Sequence, residues 1–386
     1  MRLELGQVDD RLRVKTEPIS TTVSAQPGVA TLSTWDGLVS DLPGSDVTQL
    51  SGWAGVRGSV GYRPLYVFAW RDGRLVGGAQ VLMRRLPVIG TVGYVAYGPL
   101  VAAGAPRPAV VTALADALSR LARHRLRALF VQPADGGDDV SRALLARGFR
   151  CSTAGVAPAT TVRIDLSVDE DELRAGMSRR IRRWTGKWER CGVAVRRGTA
   201  RDVDLLIGLI GRTAAHQGFP ELSGRYVRNL YHRLAGGGHA EIFVGEVDGE
   251  PVAAELFTAC GGVLRSRFTG LDRSSPAVRL SVTSALDWEA IRWAKRAGLR
   301  EFDVGGLSED AASVVRAEGF STSSLTGPEL FKVAFGGRLH AYPRAVELIS
   351  STLLRAGYDA LDSASAGRFL VDRARGWMRR GGLPRY

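Results

Sequence analysis

The sequence predicts a mixed α/β protein of two domains in which each sheet is flanked by helices. A chain of 386 residues is longer than one ordinary hydrophobic core accommodates. A hairpin pattern also occurs twice, as RDGRLVGGAQV from Arg71 and as VDGEPVAAELF from Val247. In both copies Asp-Gly supplies the positive φ angles of a tight turn, and a strand rich in small residues follows. This repetition indicates an internal duplication.

The first half begins with residues 1–16, whose charges alternate without periodicity, and we expect a mobile N-terminal extension there. The first domain, 17–166, then shows helical spacing before a strand pair and an αβ unit after it. Gly148 marks the end of its last helix. The predicted elements are helices at 34–39, 49–56 and 109–123, a helix ending at 148, and strands at 65–70, 75–83, 128–132 and 161–166.

The second domain, 167–340, repeats this order loosely. Its predicted elements are helices at 203–215, 225–234 and 281–297 and strands at 240–247, 252–258, 263–269 and 301–304. Hairpins early and an αβ unit late favour an acetyltransferase-like (GNAT-like) fold used twice in tandem. The tail, 341–386, is predicted to be helical and basic and to pack on the first domain.

The net charge of the chain limits the classes of partner that it is expected to bind. A net charge of +13 and a pI near 10.3 favour RNA, a nucleotide-linked substrate or an anionic membrane face as the partner. A soluble protein that is merely basic is the alternative. Among 52 basic residues the lysines are Lys15, Lys187, Lys295 and Lys332, so a lysine kept here is a candidate for chemistry.

Cysteine and histidine usage argues against several classes of site. The three cysteines, Cys151, Cys191 and Cys260, are odd in number and far apart, which disfavours a disulfide framework and fits a reducing cytoplasm. The five histidines lack the spacing of metal ligands, so we expect no metal.

The charged N-terminus does not resemble a signal peptide, no apolar run is long enough to span a bilayer, and any membrane contact would be peripheral.

Residues 167–190 form the most unusual segment. Ser167 and Glu170 have the spacing of a capping box, which predicts the start of a helix. Leu173, Met177, Ile181, Trp184 and Trp188 fall at helical spacing and predict a buried stripe in which the tryptophans are core residues. The cations Arg179, Arg180, Arg182, Arg183 and Lys187 lie between them. Unpaired like charges repel one another, so we expect RNA phosphates to bind here; a solvated helix face is the alternative.

Two further segments are candidates for chemistry. Lys332 interrupts the apolar run LFKVAFGG, which predicts a strand, and a buried ammonium there calls for an anion. A lysine on an edge strand that reaches solvent is the alternative. Asp303 precedes Gly305 and Gly306 at the end of a strand and is a candidate for orienting an amine. An acid that only pins the loop by hydrogen bonds is equally consistent with the pattern.

A coenzyme A-dependent acyltransferase would have the same fold, but it needs a glycine-rich pyrophosphate loop before the helix of the αβ unit. At that junction the chain has RSSPAVRL, from 273 to 280, without a glycine. Coenzyme A binding is therefore disfavoured. The sequence also contains neither a G-x-S-x-G elbow nor a P-loop.

Taken in order, these segments resemble the FemABX family of peptidoglycan interpeptide-bridge aminoacyltransferases from about residue 47 to residue 337. The matching pieces are QLSGWAGVRGSVGY, LVGGAQVLMRRLPVIGTVGYVAYGPL, RRIRRWTGKWERCGV, ALDWEAIRWAKRAGLREFDVGG and FKVAFGG. The resemblance implies transfer of an amino acid from aminoacyl-tRNA to an amine. It implies no contact with DNA. It also implies catalysis without a cofactor, since the aminoacyl ester is already activated. No sustained heptad pattern predicts a coiled-coil arm, which makes the chain similar to the compact FemX-like form.

The resemblance also assigns roles to residues. It implies that Lys332 stabilises negative charge at the reaction centre, that Asp303 orients the amine, and that the basic segment holds tRNA. The acceptor side would be formed by Arg57, Tyr97, Thr213, His216 and Phe268. Arg57 stands where the family tends to have lysine, and Tyr97 and His216 stand where its motifs have arginine. The acceptor is therefore left open between a UDP-linked or lipid-linked muramyl peptide and a small amine such as an antibiotic intermediate. An acyl-CoA-dependent N-acyltransferase and a non-catalytic RNA-binding module are the competing interpretations.

Overall fold

The computed structural model describes residues 18–363, apart from residues 88, 219, 276–278 and 321–323. It contains two mixed sheets covered by helices, so the predicted mixed α/β class is confirmed. Within the described residues the first sheet has eight strands: β1 (Ser20–Ser24), β2 (Arg63–Arg71), β3 (Arg74–Leu86), β4 (Gly90–Ala96), β5 (Leu100–Val101), β6 (Ala128–Gln132), β7 (Arg150–Cys151) and β15 (Val346–Ile349). The second has seven: β8 (Thr160–Asp165), β9 (Val193–Arg197), β10 (Ala240–Val247), β11 (Glu250–Cys260), β12 (Val263–Leu271), β13 (Glu301–Leu307) and β14 (Arg338–Ala341).

The helices follow the predicted periodicity except in two segments, which are described below with the candidate site. In the first half they are α1 (Val29–Asp41), α2 (Ser51–Gly58), α3 (Arg107–His124) and α4 (Asp138–Leu145). In the second half and the tail they are α5 (Glu170–Gly176), α6 (Arg179–Trp184), α7 (Val203–Gln217), α8 (Gly224–Leu234), α9 (Val282–Arg296), α10 (Glu309–Glu318), α11 (Gly327–Val333) and α12 (Thr352–Ser363).

The two predicted hairpins are confirmed and occupy matching places in the two sheets. β2 pairs antiparallel with β3, and β10 with β11. Asp72 and Asp248 open the two turns with a φ of 51° each, and the glycines that follow also have positive φ, as a type I′ turn requires. Each sheet also has one parallel pair beyond its hairpin, β4 with β6 and β12 with β13. This repetition of geometry fits the inferred duplication.

The boundary between the halves differs from the prediction in one respect. The strand near residues 161–166, predicted to close the first domain, is β8, and it pairs with β13 and β14 in the second sheet. The first sheet is completed instead by β15 from the tail, which pairs with β6 and β7. Long-range pairing of this kind leaves no local signal, because both strands have the same apolar pattern. Residues 1–16 and 364–386 lie outside the described part of the chain.

Among the described residues, three large apolar layers and one small cluster around Val92 and Phe130 hold the two sheets. One lies between the first sheet and α3, and another between the second sheet and α9. The third is shared, since it buries α1 and α2 of the first half against α7 and α8 of the second, with Trp35 fully buried at its centre. Because this layer takes side chains from both halves, removing either half would expose it to water.

The remaining expectations on cysteines and membrane spans can be compared directly with the structure. Cys151, Cys191 and Cys260 are all free thiols, and only Cys260 is buried. In the residues described here, no helix combines the length and the apolar character needed to cross a bilayer.

Candidate active site

The second sheet opens into a fork between β12 and β13. These strands pair in parallel only from Val263 to Arg265 and from Glu301 to Asp303, and beyond these positions they part. β13 continues toward β8 through Gly305 and Gly306, with Gly305 at a φ of 107° that favours glycine. A fork leaves backbone groups of a sheet unpaired by neighbouring strands, which makes it a place where substrates can reach the interior of the fold.

Lys332 reaches this fork from a helix, not from a strand as predicted. α11 spans Gly327–Val333 because Pro328 stands in its first turn, where its missing N–H costs nothing and its fixed φ is helical. The apolar residues of LFKVAFGG suit a strand locally, but packing against the α9 layer overrides that preference. The Lys332 ammonium donates to the carbonyl oxygen of Gly306. Burial lowers the pKa of Lys332, while Glu329 and Asp303 oppose that shift.

Asp303 lies in a buried charge network between the two halves. Its carboxylate is 3.5 Å from Arg265 Nε and 3.8 Å from Arg163 Nε, and one oxygen accepts from the Gly305 N–H at 2.9 Å. The last contact is the loop-pinning bond that the sequence left as an alternative to amine binding. Asp303 therefore fixes the glycine turn at the fork, and a role in orienting an amine remains a prediction.

The network continues into the first half through Asp46. Arg267 approaches Asp46 to 2.8 Å and Arg265 approaches it to 3.3 Å. Burial opposes ionisation of Asp46, but the charges of Arg267 and Arg265 outweigh it and hold the pKa of that carboxyl below its usual value. These ion pairs tie β12 to the loop before α2, so the position of the fork depends on both halves.

A cavity of about 390 Å³ lies against the first sheet beside this network. Its walls are mainly apolar and aromatic, and α12 and the segment 154–158 form one side. Two guanidinium groups, from Arg57 and Arg267, are among the groups that line it. An apolar site with a few charged groups is the usual form of a small-molecule site, so this cavity can take a ligand that carries an anionic group.

Arg57, a predicted acceptor residue, is almost fully buried in this cavity wall. Its guanidinium lies 4.4 Å from the ring centre of Tyr62, 5.8 Å from that of Tyr94 and 5.9 Å from that of Tyr226. Burial opposes the charge of Arg57, but Tyr94, Tyr226 and Tyr62 raise its pKa above the usual value, so the group stays cationic. Aromatic rings on several sides hold the planar guanidinium in one orientation.

The other predicted acceptor residues are only partly brought together. Tyr97 lines the cavity with a positive φ of 53°, a strained conformation for a non-glycine residue. Phe268 is half-buried and packs edge-on against Tyr226 at 6.2 Å, next to Arg57. Thr213 and His216 lie on α7 and are not among the lining residues: Thr213 hydrogen-bonds Leu271, and His216 is exposed. The structure thus places Arg57 and Tyr97 in the cavity wall and Phe268 against Tyr226, another lining residue, and leaves Thr213 and His216 apart.

The basic segment differs from the single predicted helix. Its N-cap is Asp169, not Ser167, and the chain breaks at Met177 into α5 and α6, because Met177 is extended and Ser178 caps a new helix. The apolar stripe is nevertheless buried as predicted, with Trp188 in the core and Trp184 half-buried. Arg179, Arg180, Arg182, Arg183 and Lys187 are all exposed. In the part of the chain that the structure describes, none of these five forms an ion pair.

Several residues of the site were not predicted from the sequence. Arg265 and Arg267 alternate in β12, a pattern that could have indicated one charged strand face. Glu255 and Asp287 are acids in apolar runs, VAAELF and ALDWEAI, and both are buried. A group of three or more metal-binding side chains is not found in the described ranges.

Comparison with known proteins places this geometry in context. The model of the acetyltransferase (GNAT) domain family matches residues 159–312, which is most of the second half. The lipid II:glycine glycyltransferase of Staphylococcus aureus strain MRSA252 is 26% identical over 225 residues, covering 55% of this chain and 53% of that protein. The enzyme of strain USA300 matches over the same shares. The match thus spans about half the length of the curated relatives.

Solved structures extend the likeness in fold to nearly the whole chain. The crystal structure of FemX superimposes with a TM-score of 0.74 at 18% identity, covering 87% of this chain and 99% of FemX. The structure of L-PGS from Bacillus licheniformis gives a TM-score of 0.55 at 15% identity, covering 93% and 98%. The predicted fold of two tandem acetyltransferase-like halves is confirmed. The resemblance to the FemABX family is also confirmed, by the partial match to lipid II:glycine glycyltransferases and by the similarity in fold to FemX.

Proposed function

We propose that this protein transfers an amino acid from aminoacyl-tRNA to the amine of an acceptor, forming an amide bond. The acceptor is a peptidoglycan precursor, with a small amine such as an antibiotic intermediate as the other candidate. The observation that carries the proposal is the fork between β12 and β13. Arg265 at its edge pairs with Asp46, which also pairs with Arg267 of the cavity wall, and Lys332 reaches Gly306 on β13.

The donor side of the proposal rests on charge. Five exposed cations follow one another on and after α6, and the Arg180 guanidinium is 3.5 Å from the Ser281 hydroxyl at the start of α9. Because α9 connects β12 to β13, its start follows the part of β12 that has left β13, and the basic segment would hold phosphates of the tRNA acceptor end there. Two or three phosphate contacts suffice to make binding depend strongly on salt.

The acceptor side rests on the cavity. An anionic group, such as a phosphate of a nucleotide-linked or lipid-linked muramyl peptide, would bind Arg57 and Arg267, and the apolar walls would hold the rest of the anchor. The relatives are named for lipid II, which makes a lipid-linked acceptor the first candidate to test. The amine of the acceptor would then reach the fork from the cavity.

The chemistry itself requires little from the protein. The unprotonated amine attacks the ester carbonyl, the C–N bond forms, and the C–O bond to the ribose breaks through a tetrahedral oxyanion. Lys332 would stabilise the oxyanion from its place at Gly306, where burial strengthens its electrostatic effect. Asp303 would keep the glycine turn in position, and both substrates would gain from being held close together.

The test is detection of the product by mass spectrometry. Purified protein is mixed with glycyl-tRNA or with charged total tRNA, and with lipid II, UDP-linked muramyl pentapeptide or a pool of small amines. An acceptor heavier by one amino-acid residue, lost after RNase treatment of the donor, supports the proposal. Product that survives RNase, or acylation from acyl-CoA in its place, would overturn it in favour of a coenzyme A-dependent acyltransferase. That second function is favoured by the match to the acetyltransferase domain model.

A further inference from the structure

Two acids are buried together in the α9 layer of the second half. Glu255 on β11 and Asp287 on α9 are each 1% exposed. Neither forms an ion pair with any residue that the structure describes, and Asp287 Oδ1 has no hydrogen-bond partner there. Burying a polar atom without a partner costs stability, so an arrangement of this kind calls for an explanation other than packing.

The first half shows that the fold does not require these acids. Ala79 lies seven residues after Asp72 of the first hairpin, and Glu255 lies seven residues after Asp248 of the second. Ala79 is fully buried in the layer under α3, whose buried side chains are apolar apart from Ser119. The same position in the same hairpin therefore packs well without a carboxyl group.

Ser266 connects the acids to the fork. It follows Arg265, the last residue of β12 that pairs with β13, and it is only half-buried. Ser266 lies opposite Phe257, a residue of the α9 layer, so its side chain is on the same face as Glu255. Its hydroxyl donates a short hydrogen bond to Glu255 Oε1. A buried carboxyl group is thus linked by one hydroxyl to the place where we locate the reaction.

We infer that Glu255, acting through Ser266, is the general base that takes the proton from the attacking amine. This inference rests on the proposed transfer of an amino acid to an amine. Ser266 would contact the substrate, Glu255 would hold the proton, and Asp287 would stay protonated beside it as a positioning residue.

The proton balance of this step is simple. As the amine nitrogen forms its bond to the ester carbonyl, its proton passes to Ser266 Oγ, and the Ser266 hydroxyl proton passes to Glu255. The tetrahedral oxyanion then collapses, the C–O bond to the ribose breaks, and the ribose oxygen leaves with the electron pair. That oxygen takes a proton from Glu255 by the reverse path, so the base is ready for the next turnover.

The surroundings of the pair agree with this role. Burial raises the pKa of Glu255 to about 7, against hydrogen bonds from Ser266 and Thr269 that lower it. Burial and the neighbouring Glu255 hold the pKa of Asp287 well above its usual value, so Asp287 keeps its proton. Cations around this layer include Arg174 on α5 over the Trp288 ring, Arg197 on β9 over the Trp293 ring, and Lys332 on α11 at Gly306. A base with a pKa near the working pH is the most effective.

The experiment compares Glu255→Gln with Glu250→Gln, an exposed acid on the same strand. With charged tRNA and the acceptor that wild type uses, we expect kcat of Glu255→Gln to fall about 100-fold with both KM values within about threefold. Wild-type kcat should rise with pH through about 7, the pKa of Glu255, and this rise should be absent in Glu255→Gln. Glu250→Gln should match wild type. Full activity of Glu255→Gln, or an unchanged pH profile, would overturn the inference.

Ser266 provides a second variant whose folding is not in question, because the residue is half-buried. Ser266→Ala should lower kcat at least about tenfold, and Ser266→Thr, which keeps the hydroxyl, should recover most of that loss. Equal activity of the alanine and threonine variants would contradict the relay.

Carboxyl infrared difference spectra supply a readout that needs no substrate: a band titrating near pH 7 in wild type and missing in Glu255→Gln supports the assignment. If that band is present but charged tRNA gives no product, the proposed function fails and the titration of Glu255 stands.

Discussion

The two hairpins of this protein have the same turn and different interiors. In the first, β2 and β3 pack apolar side chains on α3, and Ala79 is fully buried among them. In the second, β10 and β11 place Glu255 at the equivalent position, next to Asp287 of α9. The charged and aromatic groups of the first half lie instead on the opposite face, around Arg57.

This difference teaches how one fold used twice can divide its tasks. The first half keeps its outer layer for stability and uses the face toward the second half for a cavity. The second half keeps the fork, Lys332 and the acids, so it carries the groups that can act on a reacting centre. The comparison predicts that changes in the first half alter acceptor binding and that changes in the second alter the chemical step or donor binding.

The largest effect is expected for Lys332→Met in the second half. Removing an ammonium that stabilises an oxyanion should lower kcat about 100- to 1000-fold and leave the acceptor KM within about threefold, measured by steady-state product formation. Lys295→Met is the matched control, since the Lys295 ammonium donates to the carbonyl oxygens of Leu166 and Val168 and not to Gly306. A loss of kcat in Lys295→Met equal to that in Lys332→Met would remove the distinction between the two lysines.

The next effect is on stability and needs no substrate. The pKa of Glu255 in the folded protein, about 7, lies above the ordinary value of 4.5. Between these pH values the folded state keeps a proton that the unfolded state has lost, so the stability of wild type falls as pH rises. Glu255→Gln has no such loss. It should equal wild type near pH 4.5 and be more stable by about 3 kcal/mol above pH 8, measured by urea unfolding at each pH. A constant difference at all pH values would show that Glu255 does not titrate in this range.

In the first half, Arg57→Met should raise the acceptor KM about 30-fold with kcat within about threefold. The reason is the loss of a held guanidinium that pairs with an anionic group of the acceptor. Arg84→Met is the control, since Arg84 also lies over the Tyr62 ring, at 5.3 Å, but does not line the cavity. A fall in kcat without a change in KM for Arg57→Met would break the assignment of binding to the first half.

The smallest effect concerns the basic segment. Changing Arg179, Arg182 and Arg183 together to Gln should weaken tRNA binding about tenfold at 0.15 M salt and reduce the slope of log affinity against log salt by about 2. Filter binding at several salt concentrations measures both. The triple change of Arg63, Arg74 and Arg125, three exposed arginines of the first half, alters the net charge equally and should leave the slope unchanged. Equal losses in the two triple variants would mean that only net charge matters.

Much of the fold could be predicted because its signals are local. The turns at Asp72 and Asp248 need positive φ, and the helices α3, α7 and α9 have a clear apolar period. Strands such as β4, with three polar or glycine positions among seven, were missed because a Gly-rich strand lacks a side-chain pattern. The basic segment was predicted as one helix, since its apolar spacing continues across Met177 although the backbone breaks there.

The site was predicted less completely. Arg57, Tyr97 and Lys332 stood out as residues in motifs, and the structure places them at the cavity and the fork. The sequence signal for Glu255 was weaker. A single acid in an apolar strand also occurs in edge strands, where the acidic side chain reaches solvent. Only burial on both sides distinguishes the two cases.

By itself the sequence determined the elements, the duplication, the strong positive charge and the family resemblance, because turn chemistry, periodicity and composition act within a few residues of each other. The tertiary structure decided which strands complete each sheet, that Lys332 comes from a helix, and that Ser266, which follows the paired part of β12, bonds Glu255 beside Asp287. The physical reason is that these outcomes depend on contacts between residues far apart in the chain. Their free energies come from burial and from buried charge pairs, neither of which a local pattern contains.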